Sequence, residues 1–152
     1  DGGMKKYSDI IKAIALGSDY CMLGGLFNKA LESCAPTYIQ NIKHENWTEP
    51  GDEINKFDPI YKQMLKNGTK FYKKFRGMST KEVQIKQGKA DIKTSEGITK
   101  LNQVEYTLSG WVENFNHYLR SAMSYTNSKT LEEFKGSKFN LITKNSLERF
   151  CK

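Results

Sequence analysis

Two glycine pairs are the first candidates for chemistry in this chain: Asp1-Gly2-Gly3 and Leu23-Gly24-Gly25. Each reads as the turn after a strand end, and one strand–helix unit separates them. Without a Cβ, such turns let backbone N–H groups approach phosphate oxygens, and a helix N-terminus beyond them adds a favourable dipole. A carboxylate at the C-terminal end of a strand, as at Asp1, can accept hydrogen bonds from both ribose hydroxyls. The residues alone leave a second reading open, in which the glycines merely permit tight turns. His44 and His117 stand apart, and Cys21, Cys34 and Cys151 are odd in number with no ligand spacing. No metal site and no disulfide framework is expected, a pattern that suits a reducing cytoplasm.

A third feature is the basic, aromatic run Lys70 to Arg76. It invites a nucleic-acid reading, but single-strand binding takes a groove of stacked aromatics that one short run does not supply. A basic strand beside a nucleotide site explains it as well, so no nucleic-acid partner is expected. The overall charge, 24 Lys and Arg against 17 Asp and Glu, is +7 with a pI near 9.2, which favours an anionic ligand without naming one. With 38% apolar residues over 152 positions, the chain is built for one packed domain and not for a disordered tail. Its most apolar stretch, Ile10 to Leu26, is broken by Lys12, Asp19 and glycines. This excludes a membrane-spanning helix there.

The elements that must hold these residues alternate. Ser8-Asp9 predicts an N-cap for a helix over Ile10 to Leu16, ended by Gly17; Tyr20 to Leu23 predicts a buried parallel strand. Residues 32–68, studded with Pro, Gly and Asn, predict a surface excursion with a short helix over Pro59 to Leu65. Phe71 to Arg76 predicts a strand, residues 81–98 a polar flap, and Val104, Tyr106 and Leu108 a half-exposed strand. Trp111, Val112, Phe115, Tyr118, Leu119, Ala122 and Met123 trace the widest amphipathic helix, read as a core face covering a strand. A helical turn over Thr130 to Phe134 and a strand over Phe139 to Ile142 close the chain. The class is α/β, and two glycine turns one unit apart suit the phosphate site that follows the last two strands of a (β/α)₈ barrel. The opening Asp-Gly-Gly, with no initiator Met, predicts a piece of a longer protein.

Read in order, Asp1-Gly2-Gly3, Asp9 to Gly17, Met22-Leu23-Gly24-Gly25 and Arg76-Gly77-Met78-Ser79 resemble the C-terminal part of the IMP dehydrogenase/GMP reductase family. Flavin-dependent 2-hydroxy acid oxidases share the first pieces but lack a counterpart of Arg-Gly-Met-Ser. Lys93-Thr94-Ser95-Glu96-Gly97, the helix end Leu119 to Tyr125 and Lys144-Asn145-Ser146 are more similar to the reductases.

The resemblance implies the C-terminal part of a (β/α)₈ TIM barrel, incomplete, with an active-site flap. It implies an oxidoreductase converting GMP to IMP and ammonia with NADPH, or, as the alternative, IMP dehydrogenase using NAD. Asp1 is then expected to hold the ribose, and Gly2, Gly3, Gly24 and Gly25 the 5′-phosphate. Gly77, Met78 and Ser79 would line the purine. Ser95, Glu96 and Gly97 would close over the base, with Glu96 in proton transfer at the departing amine. Lys93, where the reductases usually have Arg, would touch substrate or cofactor without a bidentate fork. Met78, Lys93, Ser121, Ser124 and Tyr125 would meet NADPH. Homo-oligomerisation as a tetramer, and a monovalent cation held by the absent half, are implied too. The family's nucleophilic cysteine lies upstream of Asp-Gly-Gly and matches none of the three cysteines here. The chain alone is therefore expected to be inactive, and a catalytically silent nucleotide-binding module stands as the reading from another class.

Overall fold

The computed structural model describes residues 1–39, 51–77, 80–88 and 99–146. Its sheet is organised around the aromatic, basic run. That run forms a strand, Phe71–Arg76, which pairs antiparallel on both sides, with Thr37–Ile39 (Tyr38 opposite Tyr72) and with Thr99–Gln103 (Lys73 opposite Asn102). In chain order the strands are β1 (Thr37–Ile39), β2 (Phe71–Arg76) and β3 (Thr99–Gln103). The alternation of a strand puts Phe71, Lys73 and Phe75 on one face, and Phe71 and Lys73 are wholly buried. Phe71 joins Leu31 and Val104 in a core against which Ile39, Ile54, Tyr61, Met64 and Leu65 pack.

Lys73 is the anomaly of that core. Its Nζ donates to the carbonyls of Ser33 at 2.9 Å and Ala35 at 3.4 Å. Burial, reinforced by the nearby Lys56 charge, pushes its pKa from the ordinary 10.5 down to about 8, against a smaller opposing pull from Cys34 and Glu32.

The helices are α1 (Tyr7–Ala15), α2 (Gly25–Asn28), α3 (Pro59–Lys66), α4 (Lys81–Lys86), α5 (Leu108–Tyr125) and α6 (Leu131–Lys135). Helix α5 packs on α1 through rings: Tyr7 lies 5.3 Å from Trp111 and 5.2 Å from Tyr118, and Trp111 stacks on Phe115 at 5.4 Å. Phe27, on α2, meets the edge of Trp111 at 4.9 Å, tying this layer to the glycine turn. Backbone bonds from Leu31 to Tyr106 and from Glu105 to Lys29 then fasten the segment after α2 to the exit of β3. The Tyr106 hydroxyl adds a 2.7 Å bond to the Leu26 carbonyl.

Several expectations change. The residues 20–23 carry no strand, and Tyr20 and Met22 are exposed; no described strand runs beside them to complete a ladder. Phe139 to Ile142 likewise carries no strand, and Leu141 is 93% exposed. The described sheet is thus antiparallel, not parallel. The strand expected at Val104 to Leu108 ends at Gln103, because the register with β2 places the pairing earlier and α5 begins at Leu108. The segment over 32–68 carries the short helix expected over Pro59 to Leu65 as α3, but beyond a surface excursion it also supplies β1 and much of the core's packing; residues 40–50 lie outside the described residues. Helix α5 covers α1, not a strand, and leaves Val112 and Tyr118 exposed. The cap of α1 is Lys6, not Ser8-Asp9: Asp9 sits inside the first turn and reaches back to the amides.

Candidate functional site

Both glycine turns line one cleft of about 660 Å³, within the usual size of a small-molecule site. Asp1, Gly2 and Gly3 form one side and Leu23, Gly24 and Gly25 another, while Phe75 from β2 and Lys100 and Asn102 from β3 close it. Gly2 and Gly3 have φ of +71° and +73°, a left-handed pair that L side chains rarely adopt. Added methyl groups there would meet nothing within 4 Å, so backbone conformation demands these glycines and space does not. Gly24 is demanded by neither. Its φ is −101°, and an added Cβ would lie 3.9 Å from the Phe75 ring, an ordinary contact.

The charge on the walls is mostly positive. Lys5, Lys29 and Lys100 stand against Asp1. Lys29 is paired with Glu105 at 2.6 Å, and Lys100 Nζ sits 5.8 Å above the Phe75 ring. Asn102 is fixed from behind, its Nδ2 donating to Asn28 Oδ1 at 2.8 Å. Met22, Leu26 and Phe75 give the cleft an apolar side. The arrangement suits an anion joined to a ring: amides and ammonium groups for the charge, Phe75 and Met22 for the apolar part.

The N-terminus of α1 contributes less than expected. The Lys5 and Lys6 amides both donate to Asp9 Oδ2, at 2.9 and 3.0 Å, and these two bonds hold the Asp9 carboxyl below its usual range. A ligand phosphate would find those amides already engaged.

Of the residues singled out from sequence, Asp1, Gly2, Gly3, Gly24 and Gly25 come together. Gly77 follows β2 directly but is not among the residues lining the cleft. Met78, Ser79, Lys93, Ser95, Glu96 and Gly97 lie outside the described residues. Ser121, Ser124 and Tyr125 share a separate, shallow depression of about 360 Å³ on α5 with His117 and Arg120. Cys21 and Cys34 are free thiols, and neither lines the cleft. Sequence reasoning missed Lys5, Lys29, Phe75, Lys100 and Asn102. The strand alternation of β2 was a signal for Phe75, whereas β3 became a wall only through its pairing with β2. Among the described residues no group of His, Cys, Asp and Glu is placed to hold a metal ion, and no helix is long and apolar enough to cross a membrane.

Residues 1–47 match the IMP dehydrogenase / GMP reductase domain. The chain is 30% identical over 154 residues to a GMP reductase of Onchocerca volvulus, covering 99% of this chain and 35% of that protein. It is 31% identical over 135 residues to one of Caenorhabditis elegans, covering 88% and 30%. An inosine-5′-monophosphate dehydrogenase of Borreliella burgdorferi is 28% identical over 149 residues, covering 97% and 33%. The chain thus spans about a third of the length of the curated relatives it matches. In fold it is similar to part of a crystal structure of GMP reductase C318A from Trypanosoma brucei in complex with guanosine 5′-monophosphate, with a TM-score of 0.64 and 21% identity over 97% of this chain and 26% of that one. Residues 1–47 thus match the IMP dehydrogenase / GMP reductase domain, and the chain as a whole is similar to a partial region of GMP reductases.

Proposed function

We propose that the chain is the nucleotide-binding part of a GMP reductase, the C-terminal portion of a (β/α)₈ barrel in which GMP is deaminated to IMP with release of ammonia. One observation carries this reading: the two glycine turns, separated by α1, line one cleft together with Asp1 and the cations Lys5, Lys29 and Lys100. In that cleft Asp1 accepts hydrogen bonds from the ribose hydroxyls, and the backbone at Gly2, Gly3, Gly24 and Gly25 holds the 5′-phosphate, with Lys5 and Lys100 adding charge. Gly77, Met78 and Ser79 line the purine. Ser95, Glu96 and Gly97 fold over it, and Glu96 exchanges a proton with the departing amine. NADPH supplies the hydride when bound. Ser121, Ser124 and Tyr125 offer hydroxyls beside the Arg120 guanidinium, a donor set that fits a phosphorylated adenosine, and Met78 and Lys93 complete that contact. The nucleophilic cysteine belongs to a loop preceding Asp1, and the assembly is a homotetramer.

The test joins the chain to an upstream half-barrel bearing the cysteine loop and offers GMP with NADPH, then IMP with NAD, following nicotinamide absorbance. Turnover of the first pair supports the proposal. Turnover of the second pair alone moves the assignment to IMP dehydrogenase, the reading that the Borreliella burgdorferi relative favours. Nucleotide binding without either turnover leaves a silent module.

A further inference from the structure

The second glycine turn is tied to the sheet through Asn28, the last residue of α2, which does not itself line the cleft. Asn28 is bonded at three points. Its backbone N–H donates to the Gly24 carbonyl at 3.0 Å, its Oδ1 accepts from Asn102 Nδ2 at 2.8 Å, and its carbonyl accepts from the Ser33 hydroxyl at 3.2 Å. The Ser33 carbonyl in turn takes the buried Lys73 ammonium at 2.9 Å, and Lys73 is the cross-strand neighbour of Asn102. Asn102, Asn28, Ser33 and Lys73 therefore form a closed circuit from β3 to α2 and back through β2.

Peptide stereochemistry carries this circuit to the turn. The Gly24 carbonyl and the Gly25 N–H belong to one planar trans unit, so they point in opposite directions. The bond from Asn28 draws the carbonyl toward the body of α2, which turns the Gly25 N–H away from it. Other anchors of α2 act elsewhere: the Tyr106 hydroxyl bonds the Leu26 carbonyl, and Lys29 pairs with Glu105. Neither touches the Gly24–Gly25 peptide. We infer that Asn28 and Asn102 are positioning residues, which set the direction in which the Gly25 amide meets a phosphate oxygen. This role rests on the proposed function, in which that turn holds the 5′-phosphate, and it falls to two residues that the proposed reaction leaves unassigned.

The test titrates the full chain with GMP and with guanosine, which lacks the phosphate. Asn102→Ala is expected to weaken GMP binding by about threefold to tenfold, the loss typical of one hydrogen bond, and to leave guanosine binding unchanged. Asn28→Ala gives the same pair of results, and it stands alone should Asn102→Ala unfold, as judged by circular dichroism. The double variant loses no more than either single one, because both changes remove the same bond. Equal weakening of GMP and guanosine, GMP affinity unmoved in both variants, or full additivity in the double variant overturns the inference. A second readout needs no nucleotide. Hydrogen exchange at the Asn28 amide, whose N–H is bonded to the Gly24 carbonyl, is expected to quicken by about threefold or more in Asn102→Ala, and an unchanged rate also overturns the inference. Failure of the unaltered chain to bind GMP, with the exchange effect intact, sinks the nucleotide reading and leaves the hold of Asn102 on the turn standing.

Discussion

Substituting the buried Lys73 by Met removes a charge from the core, and the consequence is read in how stability varies with pH. In the folded chain Lys73 gives up its proton near pH 8, and in the unfolded chain near its ordinary 10.5. Between those values the unfolded state binds more protons, so the unfolding free energy climbs as pH rises. The full gap corresponds to about 3 kcal/mol. Tyr106 acts with the opposite sign. Burial lifts its phenol from 10.0 to about 12, with a smaller push from Glu105, so above pH 10 the unfolded state loses the proton first and stability falls. Its ring is partly exposed, so the fall is less than the roughly 2–3 kcal/mol that the gap alone would give. Urea titrations followed by the fluorescence of Trp111, buried between α1 and α5, should show stability rising from pH 8 to a maximum near pH 10 and then declining. In Lys73→Met the rising limb should vanish while the decline remains. Met fills much of the same volume, so loss of the two carbonyl bonds from Ser33 and Ala35 is the principal side effect, and it is independent of pH. A Lys73→Met protein that kept the same slope between pH 8 and 10 would refute the assignment of that limb to Lys73.

Asp1→Ala should weaken GMP binding by about 1.5–3 kcal/mol in calorimetric titration, the loss expected of charge-assisted hydrogen bonds to a ribose; unchanged affinity removes Asp1 from the site. Phe71→Ala, at the centre of the core against Leu31 and Val104, should cost about 3–5 kcal/mol by urea denaturation, and a loss below 1 kcal/mol would mean that β2 is not the core strand. Glu96→Gln, in the chain joined to its upstream half-barrel, should lower turnover of GMP by about 10²–10⁴ with little change in nucleotide affinity; near-normal turnover with chemistry rate-limiting excludes Glu96 from proton transfer.

Local chemistry was legible in the sequence wherever one residue type settles a conformation. Gly17, with φ of +103°, ends α1 as its position predicted, and Asp58-Pro59 opens α3 with the Asp58 carboxylate accepting from the Ile60 amide. The aromatic stripe of α5 showed that a face was buried but not against what, since α1 and a strand present equivalent apolar surfaces to a periodic pattern. Short apolar runs were the weak signal. Tyr20 to Leu23 and Phe139 to Ile142 have the composition of strands, yet a strand exists only when a neighbour satisfies its amides and carbonyls. The antiparallel sheet was hidden for the same reason, because β1 is three residues long and β3 carries no alternation that marks it.

Lys73 was the least legible residue, and it is the one that connects core to site. A Lys in a basic run reads as solvated, and burial reverses that reading only once both flanks of β2 are paired and the carbonyls of Ser33 and Ala35 lie within reach. The same strand face then runs from Phe71 in the core, through Lys73, to Phe75 in the wall of the glycine cleft. Two residues on either side of the fixed ammonium set both ends of that face, so its register cannot slip by one without expelling Phe71 from the core and withdrawing Phe75 from the cleft. The buried ammonium opposes such a slip, because the shifted strand would carry Lys73 away from its two carbonyl partners and leave them unpaired. The cost of holding a charge inside the core is therefore coupled to the placement of the ring that lines the glycine cleft.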